Sequence, residues 1–242
     1  MGKSEDFKLP ILEIIAEAFA RTNSNLKLLI YPLSVISLFI LAYEFVVPNY
    51  FDEYNKFGLA IGMCIHVVLY ALFAITCHRI VILGFDAVPK FGLFKLSSRE
   101  IKYLAYIGIS YLFFFVTYLG FEWFFGHLFQ LGADISIVLS LLYFAVMVIC
   151  LYSVGRLILV LPSVAVDNPI SPKTSFKLTE GNGWRIFFVV IIVPLLSGIL
   201  VGLLPDGLIV LEVLGSIFWL YLYVIEVSAL SISYRYLIED ID

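Results

Sequence analysis

The sequence predicts an all-α polytopic membrane bundle of six transmembrane helices, and three observations predict it: an apolar composition, six long apolar runs, and one-sided positive charge. Of 242 residues, 62% are hydrophobic and 14% charged, and the mean hydropathy is +1.03. A soluble domain carries roughly 45–50% apolar and about 25% charged residues. A soluble core of this size would leave large apolar patches outside, so the solvent for this surface is lipid.

A helix needs about 20 apolar residues to cross roughly 30 Å of hydrocarbon. Six runs qualify: Leu26–Val47, Phe57–Leu83, Ile101–Phe125, Ile135–Leu161, Trp184–Leu204 and Leu208–Tyr234. None alternates with the period of two that a barrel strand needs, which leaves helices. With the N-terminus inside, fourteen of the fifteen Lys and Arg residues fall on the inner side and only Lys56 falls outside. Positive charge concentrates on the cytoplasmic side of membrane proteins, so both termini are expected there. Aromatic residues at the outer edges, such as Tyr50, Phe51, Tyr54 and Trp123, fit an interfacial belt. The first 25 residues carry Glu5, Asp6, Glu13 and Glu17, unlike the basic and then uninterrupted apolar run of a secretory signal.

The chain reads as one membrane domain over 1–242 with three repeats, 1–84, 85–166 and 167–242. Arg79, Arg156 and Arg235 stand near the inner ends of alternate helices, 77 and 79 residues apart. The segment Pro89-Lys90, Phe94-Lys95-Leu96, Lys102 is echoed by Pro172-Lys173, Phe176-Lys177-Leu178, Arg185. A fainter copy, Phe19, Thr22, Asn25 and Lys27, precedes the first run. Matched order, length and topology are what a repeat architecture produces. Each unit is then an amphipathic helix on the inner face followed by an out-and-back hairpin. In the first, Ile11, Leu12, Ile15, Ala18 and Phe19 are expected on one face, with Glu13, Glu17 and Arg21 opposite at i, i+4 spacing. In the last, Ser171 is placed to cap, Pro172 to open the turn and Gly181 to close it. Such helices either lie in the headgroup plane or pack on the bundle as ordinary loop helices.

The stretch Arg156-Leu-Ile-Leu-Val-Leu-Pro-Ser-Val-Ala-Val-Asp167, followed by Ser175-Phe-Lys-Leu-Thr179 and Gly181-Asn-Gly-Trp-Arg185, resembles a pattern of bacterial membrane proteins. It is similar to the YciC-type inner-membrane proteins and to the membrane domain of glycerophosphoryl diester phosphodiesterases, over about 30 residues. The resemblance implies a six-helix module of the bacterial inner membrane. It implies no catalytic residues, and the soluble phosphodiesterase domain of some relatives has no counterpart here.

Charge and motif content narrow the function classes. A net charge of −4 argues against a nucleic-acid partner, which needs a basic face. Cys64, Cys77 and Cys150 lie in apolar runs without CxxC spacing, so neither a disulfide nor a cysteine metal site is expected. No phosphate loop, GxSxG turn, HExxH or paired-carboxylate loop occurs, and the expected function is non-catalytic, with no cofactor.

Two sets of polar residues remain as candidate sites. Arg79, Arg156 and Arg235, with Lys95, Lys102, Lys177 and Arg185, form a basic inner ring suited to anionic lipid headgroups. The alternative for the three arginines is snorkelling at a helix C-terminus, where the dipole favours a cation. Glu226 and His66 are ionisable groups at membrane depth. For Glu226 the readings are a proton, cation or lipid-amine site against an inter-helix hydrogen bond. The small-xxx-small pairs Gly58/Gly62 and Gly198/Gly202 mark close helix approach.

The leading expectation is an accessory or scaffold subunit of a larger membrane complex, or an organiser of inner-leaflet lipid. The alternative is a transporter or lipid-handling protein with a cavity between the repeats. That alternative requires Glu226, His66, Ser140, Ser197 and Ser216 to face one another.

Overall fold

The computed structural model describes residues 8–50, 56–92, 97–128, 133–203 and 209–239. Among them every regular element is a helix. The α-helices are α1 (Ile11–Ser24), α2 (Leu26–Tyr50), α3 (Lys56–Leu83), α4 (Ser98–Leu128) and α5 (Ala133–Leu157). After them come the short α6 (Val160–Ala165), α7 (Pro172–Leu178) and α8 (Gly183–Phe187), then α9 (Val193–Gly202) and α10 (Ile209–Glu239). Five segments are long and apolar enough to cross a membrane: Leu26–Phe45, Ile61–Leu83, Ile137–Ala165, Gly183–Gly202 and Val210–Ile238. They overlap five of the six expected runs. The sixth, Ile101–Phe125, falls on α4, a 31-residue helix, and part of that run lies outside the residues whose side chains are described.

Helix α10 is the central post. It packs against α1, α3, α9 and, over a shorter length, α2 and α6. One core cluster joins Ile36 and Ile40 of α2, Phe73 and Ile75 of α3, Tyr103 of α4, Val164 of α6 and Val224 of α10. A second gathers Leu9, Ile14, Ala18, Leu178, Ile186, Tyr234 and Leu237. The second cluster puts both described ends of the chain at the same end of the bundle.

The burial of α1 meets the sequence expectation only in part: Ala18 of the expected face is fully buried and Ile11 packs against the second cluster. Ile14, Ala18 and Thr22, spaced i, i+4, i+8, form its buried stripe. Leu12 is 82% exposed and Phe19 is 50% exposed. Because α10 is a long apolar partner, it takes the stripe with the smallest side chains, where two helices approach most closely. The charged face is as expected, with Glu17 and Arg21 ion-paired one turn apart. The α7 signals also act as read: the Ser171 hydroxyl accepts from the Thr174 N–H at 3.1 Å, Pro172 sits at the first turn, and Gly181 takes φ +76°.

Two local features bend the regular pattern. Between α8 and α9 the chain passes through a π-helical turn, Phe188–Ile192, just before Pro194. Proline has no N–H to donate and crowds the carbonyl four residues back, and a widened turn relieves both. At Gly92, φ is +87° and an added Cβ would stand 2.4 Å from the Pro32 carbonyl oxygen of α2. Only glycine fits that approach. Of the small-xxx-small pairs, Gly58 and Gly62 are both buried. Gly198 meets Trp219 of α10, whereas Gly202 faces open space.

Candidate functional site at the basic rim

Where helices end on the basic side, their last carbonyls need donors, and arginine supplies several from one rigid group. At the end of α3, the Arg79 Nε donates to the Ala87 carbonyl at 3.2 Å. Its Nη1 donates to the Ala165 carbonyl at 2.9 Å and to Asp167 Oδ2 at 2.7 Å. From the start of α4, Arg99 Nη1 reaches the same Oδ2 at 2.9 Å. Asp167 is therefore a hub holding two arginines from different helices.

The hub is half-open. The two arginine side chains are 14% and 16% exposed, and that of Asp167 is 55% exposed. Asp167 sits at φ +60°, the left-handed region that costs most residues strain and that Asp tolerates better than most. The preceding α6 fixes its place, since Val160, Pro162, Ser163, Val164 and Ala165 are all buried. The Ser163 hydroxyl donates to the Val160 carbonyl and accepts the Ile170 N–H, which folds the chain back after Asp167.

Arg99 also clamps Glu100, Nη2 to Oε1 at 2.7 Å, while the other Glu100 oxygen accepts from the Ser97 N–H at 2.8 Å and from the Ser97 hydroxyl. Burial alone would raise the Glu100 carboxyl. The hydrogen bonds from Ser97 and Arg99 outweigh it and hold the group below the ordinary carboxylate value. Burial likewise opposes the charged form of Arg99, and its bonds to Glu100 and Asp167 more than compensate. A carboxyl lowered on folding contributes stability above its unfolded value, about pH 4.3, that is lost as pH falls through its lower folded value. Thermal melts in detergent are therefore expected to drop as pH falls below about 4.3. Glu100→Gln is expected to flatten that drop, and an unchanged profile would remove Glu100 from the account.

The second rim arginine does the same work at the next junction. Arg156 Nε donates to Thr179 Oγ1 at 2.8 Å and Nη2 donates to the Phe176 carbonyl. Its guanidinium carbon lies 4.6 Å from the Phe176 ring centroid. Arg185 donates to the Leu9 carbonyl, and Asn182 Oδ1 accepts the Leu9 N–H at 2.8 Å. One turn thus satisfies both backbone groups of a buried N-terminal residue.

The remaining members of the basic ring are placed more simply. Arg235 is half-buried four residues before the end of α10, as Arg79 is in α3. Lys102 and Lys177 are exposed. Lys95 lies outside the described residues.

The intramembrane candidates occupy separate settings. His66 stacks on Tyr70 at 4.6 Å between ring centroids and meets the edge of Tyr43 at 5.0 Å. The Tyr70 hydroxyl donates to Glu44 at 3.0 Å, and Tyr70 packs edge-on against Tyr223. Glu226 is half-buried with Ser197 as its polar neighbour, and its Oε1 is buried without a hydrogen-bond partner. Ser140 stands on α5, whose main packing partners are α4, α7 and α8. The three cysteines are free.

Sequence reading missed a buried polar cluster centred on His78. His78 of α3, 1% exposed, lies between Ser231 of α10 at 2.7 Å and Tyr103 of α4 at 3.2 Å. The Ser231 hydroxyl donates to the Val227 carbonyl at 2.7 Å, so it accepts from His78 Nδ1–H. Nε2 then accepts from the Tyr103 hydroxyl, and the tautomer follows from this donor bookkeeping. Asp167 was legible only as the end of a motif; nothing in the sequence paired it with Arg79 or Arg99. No family model, curated protein or solved structure matches the chain.

Proposed function

We propose that this is a non-catalytic integral membrane protein, acting as an accessory or scaffold subunit that also organises lipid on its basic side. One observation carries the reading. The segment Ile137–Ala165 is apolar enough to span a membrane, yet only 6% of its most apolar window is buried within the fold. Leu141, Leu142, Phe144, Val146 and Ile149 of α5 are exposed together. A helix that packs so little on its own bundle offers a broad apolar face to a membrane partner.

Six crossings and three repeats belong to this proposal. Leu9 and Leu237 share one core cluster at one end of the bundle, and chain ends on the same side need an even number of crossings. The 31-residue α4 supplies the sixth. The repeat is supported by Asn25 and Asn182, which have φ/ψ of −108°/11° and −116°/8°. Each carbonyl accepts the N–H groups three and four residues on. The charge bias and the family resemblance favour a bacterial cytoplasmic membrane with both termini inside. The basic rim favours anionic headgroups there through its exposed lysines, Lys102 and Lys177.

Native mass spectrometry after gentle extraction tests the subunit reading. The expected result is a stoichiometric complex that dissociates when Leu141 and Phe144 are both replaced by alanine. A monodisperse free monomer with a wet central cavity would overturn it.

A further inference from the structure

A groove of about 250 Å³ runs between α2 and α10, walled by Leu26, Leu33, Leu41, Phe73, Leu220 and Val224. From Leu26 to Leu41 it follows fifteen residues of helix, roughly 22 Å at 1.5 Å each. At its basic-side end lies a second chamber of about 220 Å³, bounded by Arg21, Asn25, the end of α3 at Gly84, and Ser228. Thr22 and Leu29 line both. The two spaces are thus neighbours, one almost wholly apolar and at membrane depth, the other a mixed chamber at the rim with Arg21, Asn25 and Ser228 set among apolar residues.

Thr22 marks the junction. It is 2% exposed, and its hydroxyl has no hydrogen-bond partner. Helical threonines usually bond back to the carbonyl one turn earlier. Thr76 does so to Leu72 at 2.8 Å, and Thr179 to Ser175 at 3.0 Å. Thr179 belongs to the same Phe-x-x-Thr-x-x-Asn sequence as Thr22, and there the Arg156 guanidinium fills the remaining capacity of the hydroxyl. At Thr22 no side chain does so. A buried hydroxyl left bare is costly unless something outside the chain meets it.

We propose that groove and chamber together bind one phospholipid from the leaflet on the basic side, an acyl chain in the groove and the phosphate against Thr22 and Arg21. Arg21 is ion-paired with Glu17, but its side chain is 44% exposed, and such surface pairs are weak enough to yield to a phosphate. The Tyr221 hydroxyl donates to Asn23 at 2.9 Å and ties α10 to the end of α1 beside the site. The assignment rests on the lipid half of the proposed function and names the lipid class and its seat.

Full-length protein, delipidated in mild detergent, is titrated with palmitoyl-oleoyl phosphatidylglycerol, with bound lipid counted by native mass spectrometry and stability followed by thermal melts. One tightly held lipid per chain is expected. Thr22→Val, which keeps the shape, is expected to weaken binding about tenfold, the worth of one hydrogen bond to a charged group. Without lipid the same variant should melt at the wild-type temperature or higher, because it removes an unpaired buried hydroxyl. Ser37→Trp, which fills the groove, should abolish retention.

Wild type that retains no lipid, or variants that retain it with unchanged affinity, would overturn the proposal. So would a Thr22→Val protein that melts lower without lipid, since the hydroxyl is then structural. Stabilisation by inorganic phosphate alone, equal to that by the lipid, would reduce the site to an anion site. None of these variants touches the exposed face of α5, so a complex held by that face is read independently in the same spectra.

Discussion

Asp167→Ala is expected to lower the stability of the folded protein by about 2–3 kcal/mol, seen as a drop in melting temperature in mild detergent. The substitution removes the shared carboxylate of Arg79 and Arg99 and leaves two guanidinium groups, both mostly buried, facing each other. It also forces alanine into φ +60°, a conformation that costs an ordinary residue roughly 1–2 kcal/mol. The exposure of the Asp167 side chain limits the Coulomb part, because water and salt screen it. Asp167→Asn separates the two causes: asparagine tolerates the backbone but carries no charge. It is expected to fall about midway between wild type and alanine, and the gap between wild type and asparagine should shrink as salt is raised. Equal melting temperatures for all three would mean that the hub holds nothing.

His78→Ala should be about as costly, near 3 kcal/mol, by a different route. The ring fills space where α3, α4 and α10 meet, and removing it leaves a cavity and an unpaired Tyr103 hydroxyl. His78→Phe restores most of the volume and loses only the hydrogen bonds. Buried membrane hydrogen bonds average well under 1–2 kcal/mol, so phenylalanine is expected to recover more than half of the loss. If phenylalanine were as damaging as alanine, the polar network rather than packing would hold the three helices.

Much of the fold was legible because hydropathy and local capping are one-dimensional signals. A run of 20 apolar residues has few alternatives to a spanning helix, whatever its neighbours are. Ser171, Pro172 and Gly181 act on their own backbone within a few residues, and the structure uses each as read. The buried stripe of α1 keeps Ala18 of the expected face but takes Ile14 and Thr22 in place of Leu12 and Phe19, because both stripes are apolar enough to pack. Choosing between them needs the partner, and the partner, α10, is some two hundred residues away in the chain.

The candidate site divides the same way. Arg79 and Arg156 were visible as basic residues near inner helix ends. Their partners were not, since Arg79 binds residues 86 and 88 positions later and Arg156 binds one 23 positions later. Thr22 looked like one letter of a weak repeat. Only the packing of α1 and α2 against α3 and α10 leaves its hydroxyl bare at the meeting of an apolar groove and a mixed chamber that holds Arg21 and Asn25.

By itself, then, the sequence determined the helical class and the apolar runs long enough to cross a membrane. These follow from transfer free energies and chain length, which depend on what the residues are and hardly on what they touch. The tertiary structure decided which helix becomes the central post, which apolar face is hidden and which left open, and which arginines are spent on the fold. Those outcomes depend on side-chain shape and hydrogen-bond reach across distant segments, and packing at that range is settled only in three dimensions.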